Sequence, residues 1–576
     1  MKPADVTFSS ITSVASQQYF VPIWQRPYSW SKQEWGELWS DIKNLDKITK
    51  DGNQHQHFIG TMVLKNTVDL VGIDKEYAII DGQQRFATLL ILSAVIRDLA
   101  ASTGDKTFAE KITNDFLTFT SEDGRRKVRL VLQDRDDVEF RKILTDNSKD
   151  LKAESSIYEA YQYFYGELKK ETPKLHIYFS LLGALKVITI TLDEKDDPHR
   201  IFETLNSRGK DLTEADLVRN YFIMRMVSVK DQTEVYKNYW KPLEELFEGD
   251  KTEELEINLN DFFSDFASMK MKSLVKKDSV YSTIKGLYGL NSTKDDMLEE
   301  MKEIFKFGSI YSKMLFPERE KDPQIMEKLR RIRASEIYTV YPLLLYLLYL
   351  FQELKQINKE ELLETLTYLE SYIFRRIYSG EPTNSLNKFF PTLCKLASPN
   401  LSQQVMKALS KETYNLKWPD LIEFATGVSE FQAYKRNRNV TKLTLELLEK
   451  NHKLYEPLDF KKLEIEHVLP QTLNNKWKEY LGANAEELHE RYCHTLANLT
   501  LITKPPNESI SNDLFSEKKE KWYKYSGVKL TADIVKNYKE WKKDEIEKRS
   551  SAIFPELIKI WPHPKDKEIL DSLAKS

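Results

Sequence analysis

Cysteine is nearly absent from this chain. Only Cys394 and Cys493 occur in 576 residues, far apart and with no CxxC pair. That argues against a disulfide framework and against a thiolate zinc site, and it fits a reducing, cytoplasmic setting. The opening MKPADVTFSS has no basic stretch followed by an apolar run, so no signal peptide is predicted. The strongest membrane suspect, IYTVYPLLLYLLYLF at 337–351, holds Pro342 and four tyrosines. It falls short of the roughly 20 residues a bilayer span needs, so it is expected to be a buried helix. There is no GxxxxGK[ST] phosphate loop, internal repeat, low-complexity tract or Gly/Ser linker. The net charge is only −3, so nucleic-acid binding would need local basic surfaces rather than a basic chain.

What is present is ordinary globular composition, 41% hydrophobic, 30% charged and 12% aromatic, over a length that suggests roughly two to four domains. FIGTMVLK (58–65) and YAIIDG (77–82) read as strands, and FATLLILSAVIRDLA (86–100) as a helix. The period switches at Asp81-Gly82. VITITLDEKDD (187–197) is β-branched and reads as a strand. After it comes a helix, a Gly-containing loop and a second helix, which Thr213 and Asp216 would open with a capping box. Residues 231–440 look helical throughout. LEIEHVLPQ (463–471) and LANLTLI (496–502) return to β pattern before a Lys-rich helical tail. The expected class is multidomain α+β, divided as 1–230, a helical connecting domain 231–440, and 441–576.

Hydrolysing a phosphodiester requires a base to activate water, a cation to neutralise phosphate charge, and a scaffold that holds the base. Glu466 and His467 place a carboxylate beside an imidazole at a strand end, and strand alternation points them in different directions. Asn498 follows in LANLTLI, and Asn507 lies nine positions on. A lone Glu-His pair would more often be a strand-end histidine with incidental neighbours.

Taken together, EIEHVLPQ, LANLTLI and the distal Asn resemble the HNH (ββα-metal) nuclease fold found in CRISPR effectors. They are closer still to the C-terminal domain of the GmrSD family of modification-dependent (type IV) restriction enzymes, which combine domains of unknown function 262 and 1524. The resemblance implies His467 as general base and Glu466 and Asn507 as ligands of Mg²⁺ or Mn²⁺. Asn498 would brace the loop that orients His467, and Asn512 rivals Asn507. The tail segments FSEKKEKWYKYSG and KNYKEWKKDEIEKR interleave lysines with Trp and Tyr, as a phosphate-contacting surface or a plain solvated helix face would.

Two N-terminal stretches also stand out. VPIWQRPYSW carries Gln25, Arg26 and Tyr28, and IIDGQQR carries Asp81, Gly82, Gln83, Gln84 and Arg85 at a strand-to-helix turn. A helix N-terminus with Gly and Arg suits an anion. A capped turn with Asp81 as N-cap and Arg85 on a surface carboxylate is the plainer alternative. Both stretches match the N-terminal domain of the same family, with Phe86-Ala87 where the family more often has Leu-Thr. The resemblance implies a ParB/sulfiredoxin-like α/β domain that binds and hydrolyses a nucleoside triphosphate (GTP, UTP or ATP). Asn206, Arg208 and Lys210 around Gly209 would complete the phosphate pocket, or simply stop a helix. His489, Cys493 and His494 are expected to lie on a plain helix face rather than around a metal, and His55 and His57 in a polar loop.

The function expected is an NTP-responsive DNA endonuclease of anti-phage defence. A nucleotide-sensing module with a restrained nuclease, or a suicide effector cutting host DNA, are the alternatives. Expected partners are double-stranded DNA, in particular modified phage DNA, and the nucleotide, with no membrane and with a homodimer left open.

Overall fold

A computed structural model describes residues 2–50, 57–68, 74–145, 155–193, 196, 201, 212–226, 228–249, 252–289, 293–411, 414–451, 458–503 and 512–568. The chain divides into two compact units, Met1–Glu244 with Ile284–Lys302, and Glu245–Thr283 with Glu303–Ser576.

The first unit is built on a six-stranded mixed sheet. Its strands are β1 (Lys2–Thr7), β2 (Gln17–Phe20), β3 (Phe58–Val68), β4 (Lys75–Asp81), β5 (Leu130–Val131) and β6 (Lys186–Leu192), in the order β1-β6-β3-β4-β2-β5. β4 is internal because Ala78, Ile79 and Ile80 are buried in succession, so both faces are covered. The period change at Asp81-Gly82 is where β4 gives way to α1 (Gln83–Ser102). This helix is apolar on every side and accordingly buried at nearly every position from Phe86 to Ala100. Asp81 does not cap it: Asp81 closes β4 opposite Val63, and the N-cap is Gly82 at φ 94°, with no side-chain cap. The capping box expected at Thr213 and Asp216 is present, with Asp216 N–H on the Thr213 hydroxyl at 3.1 Å.

Gly60 inside β3 has a specific reason. Its φ is +111°, and a Cβ there would stand 1.8 Å from Arg85 Nη1. Gly60→Ala is therefore expected to push Arg85 off its bond to the Ile59 carbonyl (2.9 Å). It should also cost about 1–3 kcal/mol of backbone strain, read as a melting temperature a few degrees lower.

The second unit is mostly helical. The apolar segment at 337–351 forms a short turn and the helix Tyr341–Gln352, with Pro342 in its first turn and a buried face. No helix among the described residues is long and apolar enough to cross a membrane. Helix α2 (Lys359–Tyr378) is buried along most of its second half. Its buried Glu370 accepts from Lys328 (2.6 Å) and from Trp561 Nε1 (3.1 Å). Arg375 donates to the Trp561 carbonyl (2.8 Å) and pairs with Asp566, and Phe374 stacks on Trp561. The C-terminal segment thus packs directly on the helical middle. The elements that position the site follow in chain order: α3 (Ala433–Arg436), β7 (Leu463–His467), α4 (Ala485–Tyr492), β8 (Leu499–Thr503) and α5 (Phe515–Lys521). β7 and β8 pair antiparallel with Leu499 opposite His467.

Candidate active site

The two neighbours at the end of β7 face different surroundings, as alternation requires. One Glu466 oxygen accepts from Lys518 Nζ at 2.7 Å and from the Tyr523 hydroxyl at 2.9 Å. Lys518, fully buried on α5, also donates to the His467 carbonyl at 2.6 Å, which pins α5 to the strand end. Burial pulls the Lys518 ammonium below its usual pKa, and the Glu466 charge opposes that fall. The other Glu466 oxygen makes no hydrogen bond among the described residues, which leaves one hard donor of the kind a water-rich Mg²⁺ site uses. Asn507 lies outside the described residues. Asn512 is exposed, and its backbone carbonyl accepts from Asn474 at 2.9 Å.

His467 is 4% exposed. Its Nε2 stands 3.2 Å from His494 Nδ1. Tyr434 from α3 meets His467 edge-on at 4.5 Å and lies parallel to His494 at 5.8 Å. Burial first, and then the charges of His494, Lys518, Arg438 and His489, push His467 down from 6.5 to about 3. The imidazole is therefore neutral at physiological pH, the form that can accept a proton.

A stability consequence follows. Between about pH 6.5 and 3 the unfolded chain binds a proton at this histidine and the folded chain does not, so stability falls with pH across that window and is complete above it. His563, buried and lowered to about 4, acts in the same direction. Melting curves from pH 7 to 4 should show this loss, and His467→Gln should flatten part of it.

Asn498 is fully buried in the turn that leads into β8. Its side-chain oxygen accepts from Leu469 N–H (2.7 Å) and Trp541 Nε1 (2.9 Å). Its amide nitrogen donates to the carbonyls of Leu469 and Cys493, both at 2.8 Å. Its backbone carbonyl accepts from Val468 N–H at 3.0 Å. One side chain thus holds the turn that leaves His467, the segment that carries His494, and a buried tryptophan.

The expectation of a plain helix face at 489–494 needs correction. α4 ends at Tyr492, so Cys493 and His494 lie beyond it and turn inward. The donor atoms of His467, Cys493 and His494 all lie within 4.8 Å of one another. His489, on the helix, meets the Pro470 carbonyl at 2.9 Å. In the Lys-rich tail, Lys519 donates to the Tyr538 carbonyl, and Lys521 and Lys524 pair with Asp513 and Glu520. Tyr525 beside them is 76% exposed. Lys518, Tyr523, Tyr434 and His494 were not singled out by sequence as parts of this site.

In the first unit the amides of the two motifs are taken up by the protein itself. Gln25 donates to the Ile80 carbonyl (2.7 Å) and accepts from Gln83 (2.9 Å). Gln84 accepts from Ser29 N–H (2.9 Å) and donates to the Pro27 carbonyl (3.0 Å). The buried Tyr28 hydroxyl meets Thr88 and Trp35 at 2.7 and 2.9 Å. These bonds fasten the 22–30 loop to α1. Arg85 pairs with Asp81 at 3.6 Å, rather than with a separate surface carboxylate. Burial raises the Asp81 carboxyl, against the pull of Arg85, Gly82 N–H and Arg26. Among the described residues, small cavities of about 10 and 20 Å³ lie beside Arg26–Gln84 and Gly60–Arg85. Asn206, Arg208 and Lys210, with the Gly209 turn, and His55 lie outside the described residues. His57 faces Asp41 at 3.4 Å.

Residues 8–223 match the family model for the N-terminal domain of GmrSD restriction endonuclease, and residues 418–555 match the model for the C-terminal domain of GmrSD restriction endonucleases. Among curated proteins none matches the chain.

Proposed function

Because the chain belongs to the GmrSD restriction endonuclease family, we propose that it is an HNH-type, metal-dependent endonuclease that cuts modified phage DNA in response to a nucleoside triphosphate. The observation that carries the reading is the placement of His467, an imidazole locked at a strand end beside a carboxylate with one oxygen to spare. In this reading His467 takes a proton from water as the water oxygen attacks phosphorus. The 3′ oxygen then leaves and takes a proton from solvent, giving 5′-phosphate and 3′-hydroxyl ends. Asn498 holds the turn that aims the ring, and Lys518 holds both Glu466 and the His467 carbonyl. Bound Mg²⁺ or Mn²⁺, which Glu466 would hold with Asn507 or its rival Asn512, supplies charge neutralisation at the phosphate.

In the N-terminal unit, Asp81, Gly82 and Arg85 would meet the nucleotide phosphates with Arg26, Asn206, Arg208 and Lys210. Gln25, Tyr28, Gln83 and Gln84 keep the loop in place. The test is a panel of differently modified DNAs, with and without GTP, UTP and ATP, on the wild type and Arg85→Ala. Nucleotide-dependent cutting that Arg85→Ala uncouples is the expected result. Cutting that ignores every nucleotide would remove the sensing half of the proposal.

A further inference from the structure

His467, Cys493 and His494 come from a strand end and from the segment beyond α4, and their donor atoms converge on one small volume. The two imidazole nitrogens stand 3.2 Å apart. Two histidine nitrogens bound to one tetrahedral ion at 2.0–2.1 Å would be about 3.3 Å apart. The rings are held at that spacing before any ion arrives: Tyr434 packs against both, and its N–H donates to the His494 carbonyl at 3.2 Å. The third donor, Cys493 Sγ, lies within 4.8 Å of both nitrogens and now makes only a weak contact with the Pro470 carbonyl at 3.6 Å. It would need to swing by about an ångström to reach thiolate bonding distance.

Two nitrogens and a sulfur are the donor set of a borderline cation such as Zn²⁺, not of Mg²⁺, which prefers hard oxygens. The nearby Lys518 ammonium is paired with Glu466 at 2.7 Å, and the thiolate would bring a negative charge of its own.

We propose that His467, Cys493 and His494 form a second cation site, distinct in donor chemistry from the oxygen site at Glu466, that binds one zinc-class ion with the fourth position left to water. Binding breaks the S–H bond and forms the metal–sulfur bond, and the proton is released to solvent. A neutral imidazole has one lone pair. An ion on His467 Nε2 fixes the proton on Nδ1, and the ring can then no longer accept one. That consequence rests on the nuclease reading of His467; the site itself does not.

The experiment uses the full chain, stripped of metal and titrated with Co²⁺ alone, and reads the sulfur-to-cobalt charge-transfer absorption. One equivalent with that absorption is expected in the wild type and in Cys394→Ser, which removes the chain's other cysteine. Cys493→Ser should lose the band, and His494→Ala should weaken cobalt binding at least about tenfold. His494 is only partly buried, so this second variant tests the site even where Cys493→Ser fails to fold. No band in the wild type, a band that survives Cys493→Ser, or unchanged affinity in His494→Ala would each overturn the site. The readout is binding, so a wild type that bound cobalt but cut no DNA would count against the nuclease reading and not against this one.

Discussion

Asn498→Ala is expected to dismantle the strand–turn–strand around His467. The substitution strands Leu469 N–H, the Leu469 and Cys493 carbonyls and Trp541 Nε1 in a region where Asn498 is 0% exposed. Each buried polar group left without a partner costs about 1–3 kcal/mol, so the total should reach about 4 kcal/mol or more. A unit's whole stability is of order 5–15 kcal/mol, and a loss on that scale should appear as a large drop in melting temperature. Amide exchange in β7 and β8 should rise with it. Asn498→Asp offers a graded comparison. It keeps the acceptor for Leu469 N–H and Trp541 but turns an oxygen toward two carbonyls, so it should fall between wild type and alanine. An alanine variant as stable as wild type would mean that Asn498 does not hold the turn.

His467→Ala is the second large effect, and it should appear mainly in rate. A positioned general base contributes about 10²–10⁴-fold, so cleavage by the folded variant should fall by that factor, well beyond the modest loss of stability that removing a buried ring brings. Among the described residues the ring's hydrogen bond is to His494, and its backbone carbonyl, which Lys518 bonds, is kept in the variant. Activity should also persist into mildly acidic buffer, because burial and the neighbouring cationic groups hold the ring neutral down to about pH 3. Cleavage that dies near pH 6.5 would point to a different base.

The sequence patterns that reported on backbone period were the most legible. The change from β to helical period at Asp81-Gly82 located the β4–α1 junction, and alternation separated Glu466 from His467. Contacts that span the chain were not legible. Lys518 belongs to a lysine run that reads as a solvated face, yet it is buried against a carboxylate 52 residues away. His494 and Cys493 follow His489 at helical spacing, and nothing local announces that α4 stops at Tyr492 and turns them inward. Tyr434 precedes its histidine partners by dozens of residues with no local signal. The glutamines of the N-terminal motifs carry groups that suit a ligand and suit a backbone carbonyl equally. For Gln25 the choice was made by Ile80, 55 positions on. Gly60 was the exception that could have been found, since a glycine inside a strand often marks a close approach, and here the guest is Arg85.

The proposed nuclease depends on a cutting site built on Glu466 and His467. Side-by-side incubation of wild type and folded His467→Ala with modified phage DNA, Mg²⁺ and nucleoside triphosphate, followed as cleavage rate, separates it from every alternative base. Cutting by the wild type and a loss of about 10²–10⁴-fold in the variant are expected. Equal cutting by the two proteins would contradict it.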